Sequence, residues 1–253
     1  MKPPDAPLET DARARYLEHA INVLVKLRDS QAENMEAAAS WIASTIEGGG
    51  LVYVAGSGHS HMLAEEVFYR AGGLAAIHPL LDSPLMLHDG ARRSTALERL
   101  EGLAGVIVSH TDMSEHDLLI VASNSGRNSY PIELALAARE RGCRSVGVTS
   151  LETAAHVTSR HSSGKLMADV VDLVLDNCVP YGDAVVEIEG HPSKVGPVST
   201  VAGAALMNAL VSRATEIMVA GGHQPDTLTS ANVQERGGRL PDMAYWATRV
   251  RHL

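Results

Sequence analysis

Leu118-Leu119-Ile120-Val121-Ala122-Ser123-Asn124-Ser125-Gly126-Arg127-Asn128-Ser129-Tyr130-Pro131 holds the fold in miniature. The apolar run Leu118 to Ala122 predicts a short strand buried on both faces. The polar stretch from Ser123 to Asn128 turns out of it, and Ile132-Glu133-Leu134-Ala135-Leu136 then has helical spacing. A strand that feeds a hydroxyl-rich, glycine-containing loop into a helix start makes an anion site. Free N–H groups and the positive end of the helix dipole point at one place. Ser123, Ser125 and Ser129 can add hydroxyl donors, and Gly126 lets the backbone come close to a ligand. The same residues would also make an ordinary helix cap, since Ser and Asn cap well and Pro suits a first turn.

A second loop of the same kind shifts the balance toward a ligand. Gly56-Ser57-Gly58-His59-Ser60 follows the apolar stretch Leu51-Val52-Tyr53-Val54-Ala55 and leads into a helix expected from His61 to Ala71. It is not a dinucleotide fingerprint, because His61 stands at the third glycine position. Further strands are expected at 75–81, 145–149 and 170–175. Helices are expected at 94–103, 132–141 and 199–219, with 82–90 irregular. Ahead of them, Asp11 to Ile46 reads as two helices closed by Gly48-Gly49-Gly50. Strands alternating with helices predict an α/β three-layer αβα sandwich around a parallel sheet. Ligands of such sheets sit at the carboxyl ends of the strands, where both loops fall. The expected organisation is a helical extension over 1–48, an α/β domain over 49–222 and a tail over 223–253. Gly221-Gly222 and Gly237-Gly238 would be hinges if that tail covers the site.

Composition narrows the function. Over 253 residues the net charge is −9, which argues against a nucleic-acid partner. No stretch is long and apolar enough for a membrane span, and Met1-Lys2-Pro3-Pro4-Asp5 does not resemble a signal peptide. Cys143 and Cys178 lie in no motif and read as reduced, buried thiols of a cytoplasmic protein. The spacing of His59, His61, His110, His116, His191 and His223 matches no metal-ligand pattern, so neither a metal nor an organic cofactor is expected.

With both loops in view, the sequence resembles the sugar isomerase (SIS) domain family of phosphosugar enzymes and regulators. Residues 125–130, Ser-Gly-Arg-Asn-Ser-Tyr, are similar to the Ser-Gly-Arg-Thr-Pro-Tyr loop of the N-acetylmuramic acid 6-phosphate etherases in that family. Gly142-Cys143-Arg144-Ser145-Val146-Gly147 likewise resembles their Gly-Cys-Arg-Thr-Val-Gly strand. The resemblance covers roughly 51–219 and implies a homodimer or homotetramer acting on a sugar phosphate. Counting from the first loop puts the etherases' two catalytic glutamates on Arg70 and near Ala104, neither a carboxylate. Glu66, one helical turn before Arg70, and Glu98 and Glu101 before Ala104 are the carboxylates at hand.

SIS enzymes open the sugar ring and remove the proton from carbon 2, which a buried glutamate suits. When carbon 2 carries an acylamino group, the accessible exit is elimination of the carbon 3 substituent. The resemblance therefore implies dehydration of an N-acetylhexosamine 6-phosphate such as N-acetylglucosamine 6-phosphate. An aldose–ketose isomerase and a non-catalytic sensor are the alternatives. Glu66 is the expected base, with Glu65 as a second proton carrier and His61 aiding ring opening. Ser57, Gly58, His59, Ser60, Ser123, Asn124, Ser125, Gly126, Arg127 and Asn128 are expected to hold phosphate and sugar hydroxyls. Ser199 and Thr200 are expected to reach the ligand from the start of the last long helix. Asn208, expected to be buried among Ala, Leu and Met, needs a partner there.

Overall fold

Short runs of small and β-branched residues make the centre of the molecule, and each strand has sequence enough for one layer only. In the computed structural model, which describes residues 11–230, 232 and 241–253, β1 (Val52–Gly56) and β3 (Leu118–Ala122) are buried at every position. With β2 (Ile77–Pro79), β4 (Arg144–Thr149) and β5 (Leu173–Asp176) they form a parallel sheet of order β2-β1-β3-β4-β5. The register is continuous, Val52 pairing with Leu118 and Leu118 with Arg144.

Because side chains alternate along a strand, each strand supplies both layers. Val52, Val54, Leu118, Ile120, Val146 and Val148 face one cluster, which α1 (Ala12–Ser30), α2 (Ala32–Glu47), α3 (Met62–Val67) and α8 (Ser199–Ala220) cover. Tyr53, Ala55, Leu119 and Val121 face the other, which α5 (Leu103–Ser109), α6 (Ser129–Glu140) and α9 (Met243–Arg249) cover. The remaining elements are α4 (Ala91–Leu97), the single turn α7 (Leu151–Ala154) and an antiparallel pair, β6 (Ala184–Val186) and β7 (Val195–Pro197). That pair packs beside α1 around Val185, Val186 and Ala20.

The expected α/β sandwich is therefore present, and its boundaries shift for local reasons. The helix expected over 61–71 stops at Val67, because Phe68 is extended and Tyr69 takes a positive φ of 47°. The helix expected over 94–103 divides into α4 and α5, with Gly102 left-handed between them. The strand expected over 75–81 shortens to three residues and ends on Pro79, which has no N–H to extend a ladder. After α8, residues 226–228 run back along the chain before β2: Ala75 N–H donates to Asp226 O at 2.9 Å and Leu228 N–H to Gly73 O at 2.8 Å. The Gly237-Gly238 hinge lies outside the described residues. Cys143 and Cys178 are free and buried. Among the described residues no helix is long and apolar enough to cross a membrane.

Candidate functional site

The sheet order creates the site. From β1 the chain crosses to β2 on one side, and from β3 it crosses to β4 on the other, leaving a crevice beyond their carboxyl ends. Both loops singled out in the sequence border this crevice.

The first loop doubles back on its own strand. A Cβ at Gly56 would lie 2.4 Å from Ser60 O, so only glycine allows the turn. Gly58 to His61 then form a single 3-10 turn, closed by Ser60 N–H donating to Ser57 O at 3.1 Å. Ser57 is buried and its hydroxyl donates to Glu98 Oε2 at 2.7 Å. His59 and Ser60 face the crevice. His61 turns behind the loop into a buried position, its Nδ1 2.9 Å from Glu65 Oε1 and its Nε2 without a partner. Burial lowers its pKa against the pull of Glu65, which favours a neutral ring.

The second loop is an amide cradle. Ser123 Oγ accepts from Gly126 N–H at 3.2 Å, and Gly126 sits at a φ of 60° with its carbonyl taken by Met167 N–H at 2.8 Å. Among the described residues the N–H groups of Ser125, Arg127 and Asn128 have no acceptor. These lie at the start of α6, where the dipole favours an anion. Ser129 N–H is free as well, while Tyr130 N–H donates to Glu98 O at 3.0 Å and Ser129 Oγ donates to Arg99 O. Arg127 reaches back through Nε to Thr158 O at 2.9 Å, so its side chain braces the loop. Arg160 Nη1 donates to the buried Asn128 Oδ1 at 2.9 Å, a cation the sequence reading missed.

Asn177, also missed, closes the far side. Its Nδ2 donates to Asn124 Oδ1 at 2.9 Å and its Oδ1 accepts from Val179 N–H, fixing the loop to the end of β5. Its signal was its place directly after an apolar strand. At the start of α8, Thr200 and Ser199 line the crevice with Leu63 and Val148. Asp183 caps that helix, accepting from Val198 N–H, Ser199 N–H and Ser199 Oγ at 2.7–2.9 Å. The Ser199 hydroxyl is thus engaged within the chain.

The crevice therefore gathers His59, Ser60, Ser123, Asn124, Ser199 and Thr200. None of the expected carboxylates is among its lining residues. Glu66 meets Asn208 Nδ2 at 2.9 Å and Arg70 at 3.4 Å on the α3–α8 flank, and Glu65 is half exposed beside His61. Asn208 is exposed, correcting its expected burial: of its helical neighbours Ala204, Ala205, Val211 and Ser212 only Val211 is buried, while Leu206, Met207 and Leu210 face elsewhere on the helix. Glu98 does not line it either, but bonds to both loop regions, its carboxyl accepting from Ser57 Oγ and its carbonyl from Tyr130 N–H at the start of α6. Burial raises its pKa, opposed by the Ser57 hydroxyl and by Arg99 and Arg160.

None of the histidines 59, 61, 110, 116, 191 and 223 enters the group of metal-ligand type found among the described residues. That group is Glu101, Glu133 and His161, with ligating atoms within 4.8 Å of one another. Glu101 already accepts from Ser162 N–H and Oγ, and Glu133 from Gly102 N–H, so hydrogen bonds within the chain account for both.

An open α/β sheet with a hydroxyl-and-amide cradle at its switch point is suited to holding an anionic small ligand. A family model described as SIS domain matches residues 15–150, and the chain belongs to that family. It is 42% identical over 219 residues to the UPF0309 protein of Listeria monocytogenes serotype 4b (strain CLIP80459), covering 87% of this chain and 89% of that one. With the UPF0309 protein of Geobacillus kaustophilus identity is 44% over 202 residues, 80% of each chain. Among solved structures, the phosphoheptose isomerase of Neisseria gonorrhoeae superposes with a TM-score of 0.56 at 18% identity, over 81% of this chain and 97% of that chain. That of Francisella tularensis gives 0.54 at 15% identity, over 79% and 95%. At such identities these structural likenesses show the fold.

Proposed function

We propose that the protein is a phosphosugar lyase that dehydrates an N-acetylhexosamine 6-phosphate, N-acetylglucosamine 6-phosphate being the first substrate to test. The carrying observation is Glu98, a carboxyl group whose pKa burial raises, bonded through its side chain to Ser57 of the first loop and through its carbonyl to Tyr130 N–H beside the second. A proton-transfer group is not needed by a protein that only binds its ligand, so this favours an enzyme over a sensor.

In this reading the phosphate lies on the free N–H groups of Ser125, Arg127 and Asn128, with the Ser123 and Ser125 hydroxyls beside it. His59, Ser60, Asn124 and Thr200 meet the sugar hydroxyls. With the sugar in its open form, Glu98 takes the carbon 2 proton and the C–H electron pair is delocalised into the aldehyde. It then returns to form the C2–C3 double bond as the carbon 3 C–O bond breaks, and the leaving hydroxide is protonated to water. No cofactor takes part. Glu98 thereby takes the role expected of Glu66 from its place one helical turn before Arg70. A carbon 2 hydroxyl in place of the acylamino group would redirect the same proton to carbon 1. The likeness in fold to phosphoheptose isomerases makes that aldose–ketose isomerase the second reading.

Proton NMR of N-acetylglucosamine 6-phosphate with the protein in deuterated water tests this. A new vinyl signal with loss of the carbon 2 proton is expected, and it should vanish in Glu98→Gln. An unchanged spectrum refutes the dehydratase, and loss of turnover in Glu66→Gln with Glu98→Gln active moves the base to the α3–α8 flank. Self-association is also part of the proposal. Leu17, Ile21 and Val25 form an exposed apolar stripe on α1, with Ile21 58% exposed. Two free thiols suit the cytoplasm.

A further inference from the structure

A second and larger cleft opens at the other end of the sheet. Its volume of about 740 Å³ is that of a small-molecule site. Leu51 and Asp117, directly before β1 and β3, form part of its floor, and Thr248, Arg249, Arg251 and His252 at the end of the chain described form its roof. It shares no lining residue with the crevice at the carboxyl ends.

Its inner wall is unusual for a sheet of small residues. Tyr53 and His78 occupy paired positions on β1 and β2, their rings 4.6 Å apart. Tyr53 is 2% exposed, and its hydroxyl has no hydrogen-bond partner among the described residues. Burial, with Asp117 and Asp112 nearby, keeps the phenol protonated, so it can both donate and accept. Although the residue as a whole is buried, its hydroxyl opens onto the cleft, where a ligand can meet it.

The charges around it select the occupant. Arg249 is engaged by Gly49 O at 2.6 Å and the Tyr245 hydroxyl at 3.0 Å, and Asp117 by Leu51 N–H and Ser114. Besides the Tyr53 hydroxyl and the buried His78 Nδ1, the lining side chains without a hydrogen-bond partner among the described residues include Asp82, Asp112 and Arg251. The lining carries three carboxylates, Asp82, Asp112 and Asp117, against two guanidiniums, Arg249 and Arg251, an excess of negative charge that opposes a phosphate dianion. Hydroxyl groups suit Asp82, Asp112 and Arg251, donating to the carboxylates and accepting from the guanidinium.

We propose that this cleft is a second binding site, for an uncharged polyhydroxy compound of monosaccharide size, contacted by the Tyr53 hydroxyl, Asp82, Asp112 and Arg251. Such a ligand is an unphosphorylated sugar, and the inference stands apart from the reaction assigned to the first crevice. Saturation-transfer NMR and calorimetry on the full chain test it, with N-acetylglucosamine as the neutral probe and inorganic phosphate as the anionic one. The sugar should bind saturably without displacement by phosphate. Tyr53→Phe and Asp112→Asn should each weaken it about tenfold, the effect of one lost hydrogen bond, with thermal unfolding unchanged in Asp112→Asn. Ser123→Ala, in the first crevice, should leave it bound. Absence of saturable binding, displacement by phosphate, or binding lost in Ser123→Ala but kept in both cleft variants would each overturn the proposal.

Discussion

Ser57→Ala isolates the group that sets the protonation of Glu98. The hydroxyl donates to Oε2 at 2.7 Å and is the largest effect opposing the rise that burial causes. A hydrogen bond to a charged group contributes about 1.5–3 kcal/mol, and one pKa unit corresponds to about 1.4 kcal/mol. Glu98 is only partly buried, so water screens part of this and the lower end applies. The Glu98 pKa should therefore rise further in the variant. Carbon-13 NMR of the labelled glutamate carboxyl reads this directly, with no substrate needed. The acidic limb of the pH profile for carbon 2 exchange should move upward by the same amount. A carboxyl titration that moves while the exchange profile stays fixed would remove Glu98 from the reaction. If neither moved, the hydrogen bond itself would be absent in solution.

The folded pKa of Glu98 is raised, so its contribution to stability is fully present below the unfolded value and is lost as pH rises through the folded one. Melting temperatures of Glu98→Gln and the parent should accordingly diverge in favour of the variant as pH rises through that window. Gly56→Ala should destabilise by about 1–3 kcal/mol, because its new Cβ meets backbone at Ser60; chemical denaturation measures it. Asp183→Ala should cost about 1–2 kcal/mol by uncapping α8, and the same assay would show it. Ile21→Lys should shift sedimentation toward the monomer if the α1 stripe joins copies of the chain.

The sheet was legible because a buried parallel strand leaves an uninterrupted apolar run, as at 118–122, and the cradle because loop, glycine and helix start are contiguous. What escaped the sequence involves residues far apart in it. Glu98 reaches Ser57 across 41 positions, and Asn177 reaches Asn124 across 53. Neither pair has a local signature, although Glu98 had been among the available carboxylates. Asn208 was misplaced by reading sequence neighbours as spatial ones. On a helix its surroundings are set three and four residues away, and there α8 presents small residues and solvent. The end of α3 was equally hidden, since nothing in Phe68-Tyr69-Arg70 forbids another turn.

The pairing of α2 with α8 has a consequence for how the chain comes to be folded. Arg213 on α8 forms an ion pair with Glu36 on α2, 177 residues earlier, and the same two helices enclose Ala38, Ile42, Leu210 and Ala214. During synthesis from the N-terminus, α2 therefore emerges long before the helix that covers it. Long-range closure of this kind is slow, and apolar surface left waiting invites association with other chains. Nascent chains stalled before residue 199 should bind chaperones that full-length chains release.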